Sequence, residues 1–357
     1  MPEAHDEVII ERRAGRDGTA LHIELNRPRA LNALTLGMIR KIDPALAAAA
    51  GDPAIACVVI TGAGERAFCA GGDVRAIAES LREPGATLSQ DFFREEYVLN
   101  RRIHRYPKPY IALLDGVSMG GGFGVSLHGS HRIGTEKLSF AMPETTIGLF
   151  PDVGGTWFLT RCPGEVGTYL ALTGRRVGLG DALYCGYATH HVPRASLAAL
   201  RDSLFAAPPR AGAAVEAALA PFVAVPEAAS LTALRAIIDR CFAFDTVERI
   251  LEALAREGGE WAKTVIAELG QKSPTSLKVT LQQLRGGKGL EIEDVLTREY
   301  RMTQHFMAAH DFAEGVRALL IDKDQQPRWQ PPALDRVDMA TVEGYFAPLG
   351  GRELTFG

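Results

Sequence analysis

The sequence contains little cysteine and no long hydrophobic run. Its five cysteines, in 357 residues, are scattered and form no Cys-x-x-Cys pair, which excludes the usual spacing of a zinc or redox site. We therefore expect reduced, mostly buried thiols and no bound metal. No stretch approaches the ~20 consecutive apolar residues that a membrane-spanning helix needs, so a membrane partner is not expected.

An excess of positive charge is also missing. The 39 Lys and Arg residues face 43 Asp and Glu residues, a formal net charge of -4, so no overall basic field would attract a phosphate backbone. Nucleic acid is therefore not an expected partner. The first eleven residues mix Glu3, Asp6 and Glu7 with a short apolar run, and they have neither the apolar core of a signal peptide nor the arginine-rich composition of a transit peptide. On this ground we expect a cytoplasmic protein.

The first half of the chain has the pattern of an α/β domain. With 46% hydrophobic and 23% charged residues the chain can bury a sizeable core. Residues 20–25, 54–60 and 110–114 are predicted strands, and residues 34–49 carry apolar side chains at helical spacing. The continuous apolar runs indicate buried parallel strands, each followed by a glycine-containing loop.

The second half is predicted to be helical. Beyond about residue 205, long helical periodicities follow Pro208-Pro209, and Ser273-Pro274 is typical of a helix start. That helix is expected to reach Leu284, and another is expected over residues 292–309. We divide the chain into an α/β core of residues 1–205 and a helical carboxy-terminal region of residues 206–357, of which about the last twenty-five residues resemble a tail.

Two glycine-rich loops each follow a predicted strand. They are residues 68–74 (FCAGGDV) and 118–124 (SMGGGFG). Glycines let a ligand approach the backbone and leave N–H groups exposed, so one N–H from each loop would form an oxyanion hole for a carbonyl oxygen that gains negative charge. The alternative is that the glycines only permit tight turns and close packing. Neither loop has the spacing of a P-loop or of a dinucleotide-binding fingerprint.

The second loop overlaps a different motif. Residues 116–120 match Gly-x-Ser-x-Gly between a predicted strand and a predicted helix, which is typical of a serine-hydrolase nucleophile elbow. Ser118 would be the nucleophile, and Asp152 with His190 or His191 follow in the right chain order. A His-Gly-Gly oxyanion loop is missing from the sequence, which counts against this alternative.

Longer stretches resemble the crotonase superfamily. Residues 25–34 (LNRPRALNAL) are similar to its first-strand motif, and the two glycine loops are similar to its pair of oxyanion loops. Several further stretches resemble the 3-hydroxyisobutyryl-CoA hydrolase branch of this superfamily. They are residues 92–97 (FFREEY), 108–109 (KP), 115–116 (DG), 119–122 (MGGG), 140–145 (FAMPET), 147–155 (IGLFPDVGG), 171–174 (ALTG), 314–318 (EGVRA) and 321–324 (IDKD). The resemblance extends over roughly residues 8 to 330.

The resemblance implies a fold and a set of binding residues. The fold is a crotonase-type ββα superhelix with perpendicular sheets, followed by the helical region. The backbone N–H groups of Gly72 and Gly121 would hold the thioester oxygen, Glu96 would recognise the hydroxyl end of the acyl group, and Ser118 would have no catalytic role. The coenzyme A path would be lined by Arg29, Ala30, Leu31, Ala70, Asp73 and Val74. An alternative for Glu96 is a solvated helix acid paired with Arg94 or Arg101.

Two acidic residues are candidates for the chemistry. Similar hydratases carry one glutamate at the position of Gly124 and another at Glu144, so the glycine here argues against addition of water to a double bond. Asp152 instead lies eight residues after Glu144, and a proline precedes each acid. Two carboxylates in one partly dry pocket push their pKa values apart, so Glu144 could activate water or attack the carbonyl while Asp152 steers water or transfers a proton. The alternative is that both acids only make turn hydrogen bonds.

The resemblance therefore implies hydrolysis of a short-chain 3-hydroxyacyl-CoA thioester, above all 3-hydroxyisobutyryl-CoA, as in valine degradation. Coenzyme A would be part of the substrate, and no other cofactor is expected. An enoyl-CoA hydratase or isomerase of the same fold and a non-catalytic acyl-CoA-binding protein remain alternatives. A homo-oligomer is compatible with the helical region, but the sequence does not fix the oligomeric state.

Overall fold

The computed structural model describes residues 6–356. The expectation drawn from the first eleven residues falls partly on residues 1–5, which lie outside this range. All five cysteines are buried free thiols, as expected. No helix within residues 6–356 is both long and apolar enough to span a membrane.

Nine strands in the described residues form two sheets. They are β1 (Val8–Gly15), β2 (Gly18–Leu25), β3 (Ile55–Gly62), β4 (Ala67–Cys69), β5 (Tyr110–Leu114), β6 (Val117–Met119), β7 (His131–Gly134), β8 (Ser139–Ala141) and β9 (His190–His191). The larger sheet has the order β1-β2-β3-β5-β7-β9 and the smaller one β4-β6-β8. Only the β1–β2 hairpin of the larger sheet is antiparallel, whereas its other neighbours are parallel.

Sixteen α-helices lie between and beyond these strands in residues 6–356. They are α1 (Leu36–Gly51), α2 (Val74–Ser80), α3 (Leu88–His104), α4 (Gly121–Leu127), α5 (Gly155–Leu159), α6 (Val166–Thr173), α7 (Leu179–Tyr184), α8 (Arg194–Ala206), α9 (Gly212–Leu219), α10 (Ser230–Phe242), α11 (Val247–Glu257), α12 (Gly259–Leu269), α13 (Pro274–Gly287), α14 (Ile292–Ala308), α15 (His310–Val316) and α16 (Met339–Gly344).

The chain divides into two compact units that alternate along the sequence. Unit 1 comprises the chain up to Gly72 together with Val98–Phe140 and Val177–Ala229, and unit 2 comprises Asp73–Tyr97, Ala141–Arg176 and the chain from Ser230 onward. Residue 205, the predicted end of the α/β core, lies in α8 within unit 1. The division at that residue stays a prediction.

Unit 1 is built on the larger sheet. The predicted strands within residues 20–25, 54–60 and 110–114 are confirmed, and the residues of β5 are all buried. One core cluster joins Val59 and Ile111 of the sheet to Leu200 of α8 and Leu219 of α9. Continuous apolar strands of this kind form where helices cover a parallel sheet.

Unit 2 is largely helical. The side chain of Ser273 accepts a hydrogen bond from the N–H of Ser276 at 3.1 Å and Pro274 opens α13, so the predicted helix start is confirmed. The predicted tail is wrong. Leu354 is only 3% exposed, and Arg301 forms an ion pair with Glu353 at 2.9 Å. Contacts within unit 2 therefore hold the carboxy-terminal residues in place.

Candidate active site

The two glycine loops of unit 1 lie against each other. They follow β4 and β6, which are neighbouring parallel strands, so both loops leave the same edge of the smaller sheet. A Cβ atom placed on Gly71, whose φ is 115°, would lie 3.4 Å from the carbonyl oxygen of Met119 and 3.8 Å from the nitrogen of Gly121. A Cβ on Gly122 would lie 2.3 Å from the carbonyl oxygen of Cys69. The positive φ therefore favours glycine at position 71, and the close approach to Cys69 requires it at position 122.

The predicted oxyanion residues occupy these adjoining loops. Gly72 ends the first loop, and Gly121 is the first residue of α4, where a backbone N–H has no acceptor in a preceding helical turn. Backbone conformation explains Gly71 and close packing explains Gly122 without a ligand, as the alternative interpretation held. The binding role of the Gly72 and Gly121 N–H groups stays a prediction that this geometry permits.

Part of the predicted coenzyme A path adjoins the first loop. Arg29 and Ala30 are exposed in a short turn, and the carbonyl oxygen of the next residue, Leu31, accepts a hydrogen bond from the N–H of Ala70 at 2.9 Å. The buried Asn32 fixes this turn, since its amide nitrogen donates to two backbone carbonyl oxygens at 2.9 Å each. Sequence reasoning missed Asn32, although its place between a proline turn and a helix was a signal for a turn-forming side chain.

The remaining two residues of the predicted path lie in unit 2. Asp73 is the N-cap of α2, and its carboxylate accepts a hydrogen bond from the N–H of Ala76 at 3.3 Å. Val74 is the first residue of that helix. Helix capping accounts for the carboxylate of Asp73, and ligand binding by Asp73 and Val74 stays a prediction.

Ser118 is buried in a hydroxyl network of unit 1. Its hydroxyl is hydrogen-bonded to that of Tyr187 at 2.6 Å, which in turn contacts the hydroxyl of Ser126 at 2.8 Å. A nucleophile elbow instead needs a histidine that accepts the serine proton. This arrangement favours a structural role for Ser118.

Three carboxylates of unit 2 are buried together. Glu96 on α3 is 1% exposed, Glu144 opens a short 3-10 turn and is 5% exposed, and Asp152 in the loop before α5 is 4% exposed. The solvated alternative for Glu96 is therefore wrong. Among the described residues, Oε1 of Glu96 and Oε2 of Glu144 have no hydrogen-bond partner. The structure thus places Glu96 with the two acids predicted to do the chemistry.

The environments of the three acids favour different protonation states. Burial, followed by the charges of Asp152 and then Glu144, holds the pKa of Glu96 well above its usual range. The pKa of Glu144 is likewise raised, by burial first and then by the charge of Asp152. Burial raises the pKa of Asp152 to about 6, but a hydrogen bond from Tyr97 opposes that rise. Of the three acids, Asp152 is therefore the one most readily ionised, whereas the environments of Glu96 and Glu144 favour the protonated form.

Sequence reasoning missed the side chains that hold Asp152. Tyr97 donates its hydroxyl hydrogen to Oδ2 of Asp152 at 2.6 Å. Glu299 of α14 accepts hydrogen bonds from the N–H groups of Gly154 at 2.7 Å and Thr156 at 2.9 Å. An acid within the apolar stripe of an amphipathic helix was the signal that could have identified Glu299, because carboxylates are rarely buried without partners.

Comparison with known proteins identifies the family. A family model described as enoyl-CoA hydratase/isomerase matches residues 20–346. Two relatives are named 3-hydroxyisobutyryl-CoA hydrolase, mitochondrial: the one from Rattus norvegicus is 47% identical over 355 residues (98% of this chain and 91% of the relative), and the one from Homo sapiens is 44% identical over 359 residues (99% and 92%).

Two crystal structures have the same fold. One is described as a carnitinyl-CoA dehydratase from Mycobacterium thermoresistibile, with a TM-score of 0.91 and 40% identity over 98% of this chain and 99% of that one. The other is described as an enoyl-CoA hydratase from Rhodobacter sphaeroides 2.4.1, with a TM-score of 0.86 and 39% identity over 98% of this chain and 100% of that one. The predicted crotonase fold is confirmed, and the serine-hydrolase interpretation is set aside.

The predicted cytoplasmic location is wrong, since the relatives are named mitochondrial. That prediction depended only on the composition of the first eleven residues, and neither the fold nor the site requires a particular compartment. The family itself is established by the match over nearly the whole chain. This chain belongs to the enoyl-CoA hydratase/isomerase family, in the branch that contains the 3-hydroxyisobutyryl-CoA hydrolases.

Proposed function

We propose that this protein hydrolyses 3-hydroxyisobutyryl-CoA to 3-hydroxyisobutyrate and coenzyme A. The names of relatives that are 44–47% identical over nearly the whole chain support this reaction. The observation that carries the proposal is the set of three buried acids, Glu96, Glu144 and Asp152, one of which is held towards ionisation by a tyrosine. Such a set can both accept and donate protons.

The roles of the site residues follow from their chemistry. The N–H groups of Gly72 and Gly121 hold the thioester oxygen as it gains negative charge. In its ionised form, Glu144 either activates water or attacks the carbonyl carbon to form a mixed anhydride, which water then opens. In both routes the C–S bond breaks, the thiolate of coenzyme A takes up a proton, and water supplies the new carboxyl oxygen. Asp152 steers the water or transfers the proton.

The preferred acyl group and the metabolic context belong to the same proposal. Glu96 recognises the 3-hydroxyl group. Its buried Oε1 has no hydrogen-bond partner among the described residues, so a hydrogen bond from a substrate hydroxyl would stabilise the complex. We place the reaction in valine degradation, with coenzyme A as part of the substrate and no separate cofactor. Arg29, Ala30, Leu31, Ala70, Asp73 and Val74 are the proposed coenzyme A contacts.

A hydratase or dehydratase reaction is the second candidate. The descriptions of the two crystal structures that are 39–40% identical to this chain favour it. The position three residues after Gly121 counts against it, because Gly124 has no side chain that could move a proton. Hydrolysis produces a free thiol, whereas hydration changes the enoyl absorbance without releasing thiol, so the two reactions are separable in one cuvette.

The test is release of free coenzyme A thiol from 3-hydroxyisobutyryl-CoA by the wild-type protein, Glu144→Gln and Ser118→Ala. Ser118→Ala is the matched control, because the buried hydroxyl that it removes is hydrogen-bonded to Tyr187 and not to a carboxylate within residues 6–356. Thiol release by the wild type and the control, but not by Glu144→Gln, is the expected result. Loss of activity in Ser118→Ala alone, or enoyl conversion without thiol, would reject the proposal.

A further inference from the structure

The loop that carries Asp152 adopts an unfavourable backbone conformation. Val153 has a φ of 51° and Gly154 a φ of 85°. Glycine adopts such angles readily, but a β-branched residue in the left-handed region is an outlier that surrounding structure must enforce. Since the strained residue directly follows Asp152, whatever enforces the turn also sets the direction of the Asp152 carboxylate.

Glu299 enforces this turn with both of its carboxylate oxygens. Oε2 accepts a hydrogen bond from the N–H of Gly154 at 2.7 Å, and Oε1 accepts from the N–H and the hydroxyl of Thr156 at 2.9 Å and 2.7 Å. Glu299 is 1% exposed. A buried acid with three donors, all from Gly154 and Thr156 at the start of α5, is bonded far more specifically than packing requires.

A second side chain fixes the direction of these hydrogen bonds. The side-chain nitrogen of Gln283 on α13 donates to the carbonyl oxygen of Pro151 and to the hydroxyl oxygen of Thr156, each at 2.7 Å. Because the Thr156 oxygen accepts from Gln283, its own hydrogen is directed to Glu299. Every partner that the structure gives the Glu299 carboxylate is thus a donor.

Glu299 also acts electrostatically on the acids of the site. Burial raises its pKa to about 8, the hydrogen bonds from Thr156 and Gly154 oppose that rise, and the charge of Asp152 adds to it. Its own charge, in turn, contributes to the raised pKa of Glu144. A residue that served packing alone would have no such effect on Glu144.

We propose that Glu299 is a positioning residue for the thioester reaction, which fixes the left-handed turn at Val153 through Gly154 and Thr156 and thereby aims the carboxylate of Asp152. This inference rests on the proposed function and adds to it a residue far from the predicted motifs. Glu299 lies 145 residues beyond Gly154 in the chain, and it contacts the loop rather than the substrate.

The test compares Glu299→Gln with Thr156→Val and Thr156→Ser. Glutamine has nearly the same size as glutamate but only one oxygen, so its amide NH2 must face one of the N–H donors whichever way it turns. Thr156→Ser keeps the hydroxyl, whereas Thr156→Val removes it. Thr160→Val is the matched control, since the Thr160 hydroxyl bonds only to carbonyl oxygens of its own helix in the described contacts.

We expect kcat at pH 7 to fall up to about a hundredfold in Glu299→Gln and Thr156→Val, with KM little changed, because a misdirected catalytic group slows the chemical step. Thr156→Ser and Thr160→Val should retain kcat. Only Glu299→Gln should also lower the pKa of Glu144, because it removes a like charge at pH values where Glu299 is ionised, and so change the kcat profile around and above pH 8. The other titratable groups that interact with these acids are Glu96, Tyr97, Asp152 and Arg298, and they are the same in all variants.

The outcomes separate this inference from the proposed function. A wild type that releases no thiol rejects both. A wild type that releases thiol, with Glu299→Gln and Thr156→Val equally active, rejects only the positioning role. Loss of kcat that merely follows a loss of folded protein in thermal unfolding, without recovery in Thr156→Ser and without the shift in pH profile, also rejects it.

Discussion

Removal of the Tyr97 hydroxyl is the sharpest test of how the site controls Asp152. The hydrogen bond from Tyr97 is 2.6 Å long, and both partners are buried. A hydrogen bond to a charged group is worth about 1.5 to 3 kcal/mol. Its loss therefore changes the proton affinity of Asp152 by about one to two powers of ten. Since this bond favours the ionised form, Tyr97→Phe raises the pKa of Asp152.

The size of the effect of Tyr97→Phe on kcat/KM at neutral pH follows from the wild-type pKa of Asp152. With a pKa of about 6, Asp152 is largely ionised at pH 7 in the wild type. In Tyr97→Phe about half to nine tenths of the molecules carry the proton at that pH. If ionised Asp152 is the active form, kcat/KM falls about twofold to tenfold at pH 7 and recovers towards pH 9. The ring still packs against Phe93 and Tyr300, at centroid distances of 6.1 and 6.4 Å.

The assay is thiol release measured from pH 5 to pH 9 for the wild type, Tyr97→Phe and Tyr106→Phe. Tyr106→Phe is the matched control, because it removes a hydroxyl that donates to the carbonyl oxygen of Leu46 at 3.0 Å and contacts no carboxylate in the described structure. An acid limb displaced to higher pH in Tyr97→Phe alone is expected. A profile that coincides with that of the wild type, or one displaced to lower pH, would refute the reasoning.

Three further changes test packing and burial. Gly122→Ala should destabilise the fold by about 1 to 3 kcal/mol in urea unfolding, because its Cβ would meet the carbonyl oxygen of Cys69 at 2.3 Å. Because the pKa of Glu96 is raised in the folded state, Glu96 contributes to stability below its unfolded pKa, and this contribution is lost as pH rises. Glu96→Gln should therefore raise Tm at pH 8 and leave Tm nearly unchanged at pH 4. Glu353→Ala should cost about 1 kcal/mol in urea unfolding by removing the half-buried ion pair with Arg301.

The sequence predicted those helices and strands that are determined by residues close together in the chain. The start of α13 depends on the Ser273 side chain and on Pro274, which lie together in the sequence. The buried strands correspond to continuous apolar runs in the sequence, and β5 has the bounds predicted for it. Glu144 and Asp152 could be identified because each lies in a short motif with its own proline.

The wrong and missed predictions depend on distant contacts. The carboxy-terminal residues resembled a tail because their partners are far away in sequence, as shown by Arg94, which donates to the backbone carbonyl of Glu353 259 residues later. The solvated alternative for Glu96 stayed open beside the predicted substrate contact because nothing near Glu96 in the chain reveals that α3 buries that face. Glu299 was missed for the same reason, since its partners Gly154 and Thr156 lie 145 and 143 residues earlier in the chain.

Burial alone does not give the carboxylates different tasks, because it raises the pKa of every acid in the cluster. What distinguishes these acids is the set of hydrogen bonds that each carboxyl group makes. Asp152 accepts a hydrogen bond from a tyrosine hydroxyl, and Glu299 accepts three from Gly154 and Thr156 at the start of α5. Glu96 and Glu144 each have one oxygen with no hydrogen-bond partner within residues 6–356. The hydrogen bonds of Asp152 and Glu299 oppose the rise in pKa that burial causes, whereas Glu96 and Glu144 can offer a proton or an oxygen to a substrate. A site of this kind divides acid and base roles among chemically similar residues by hydrogen bonding, and for that reason single hydroxyl deletions such as Tyr97→Phe should change its pH dependence more than its stability.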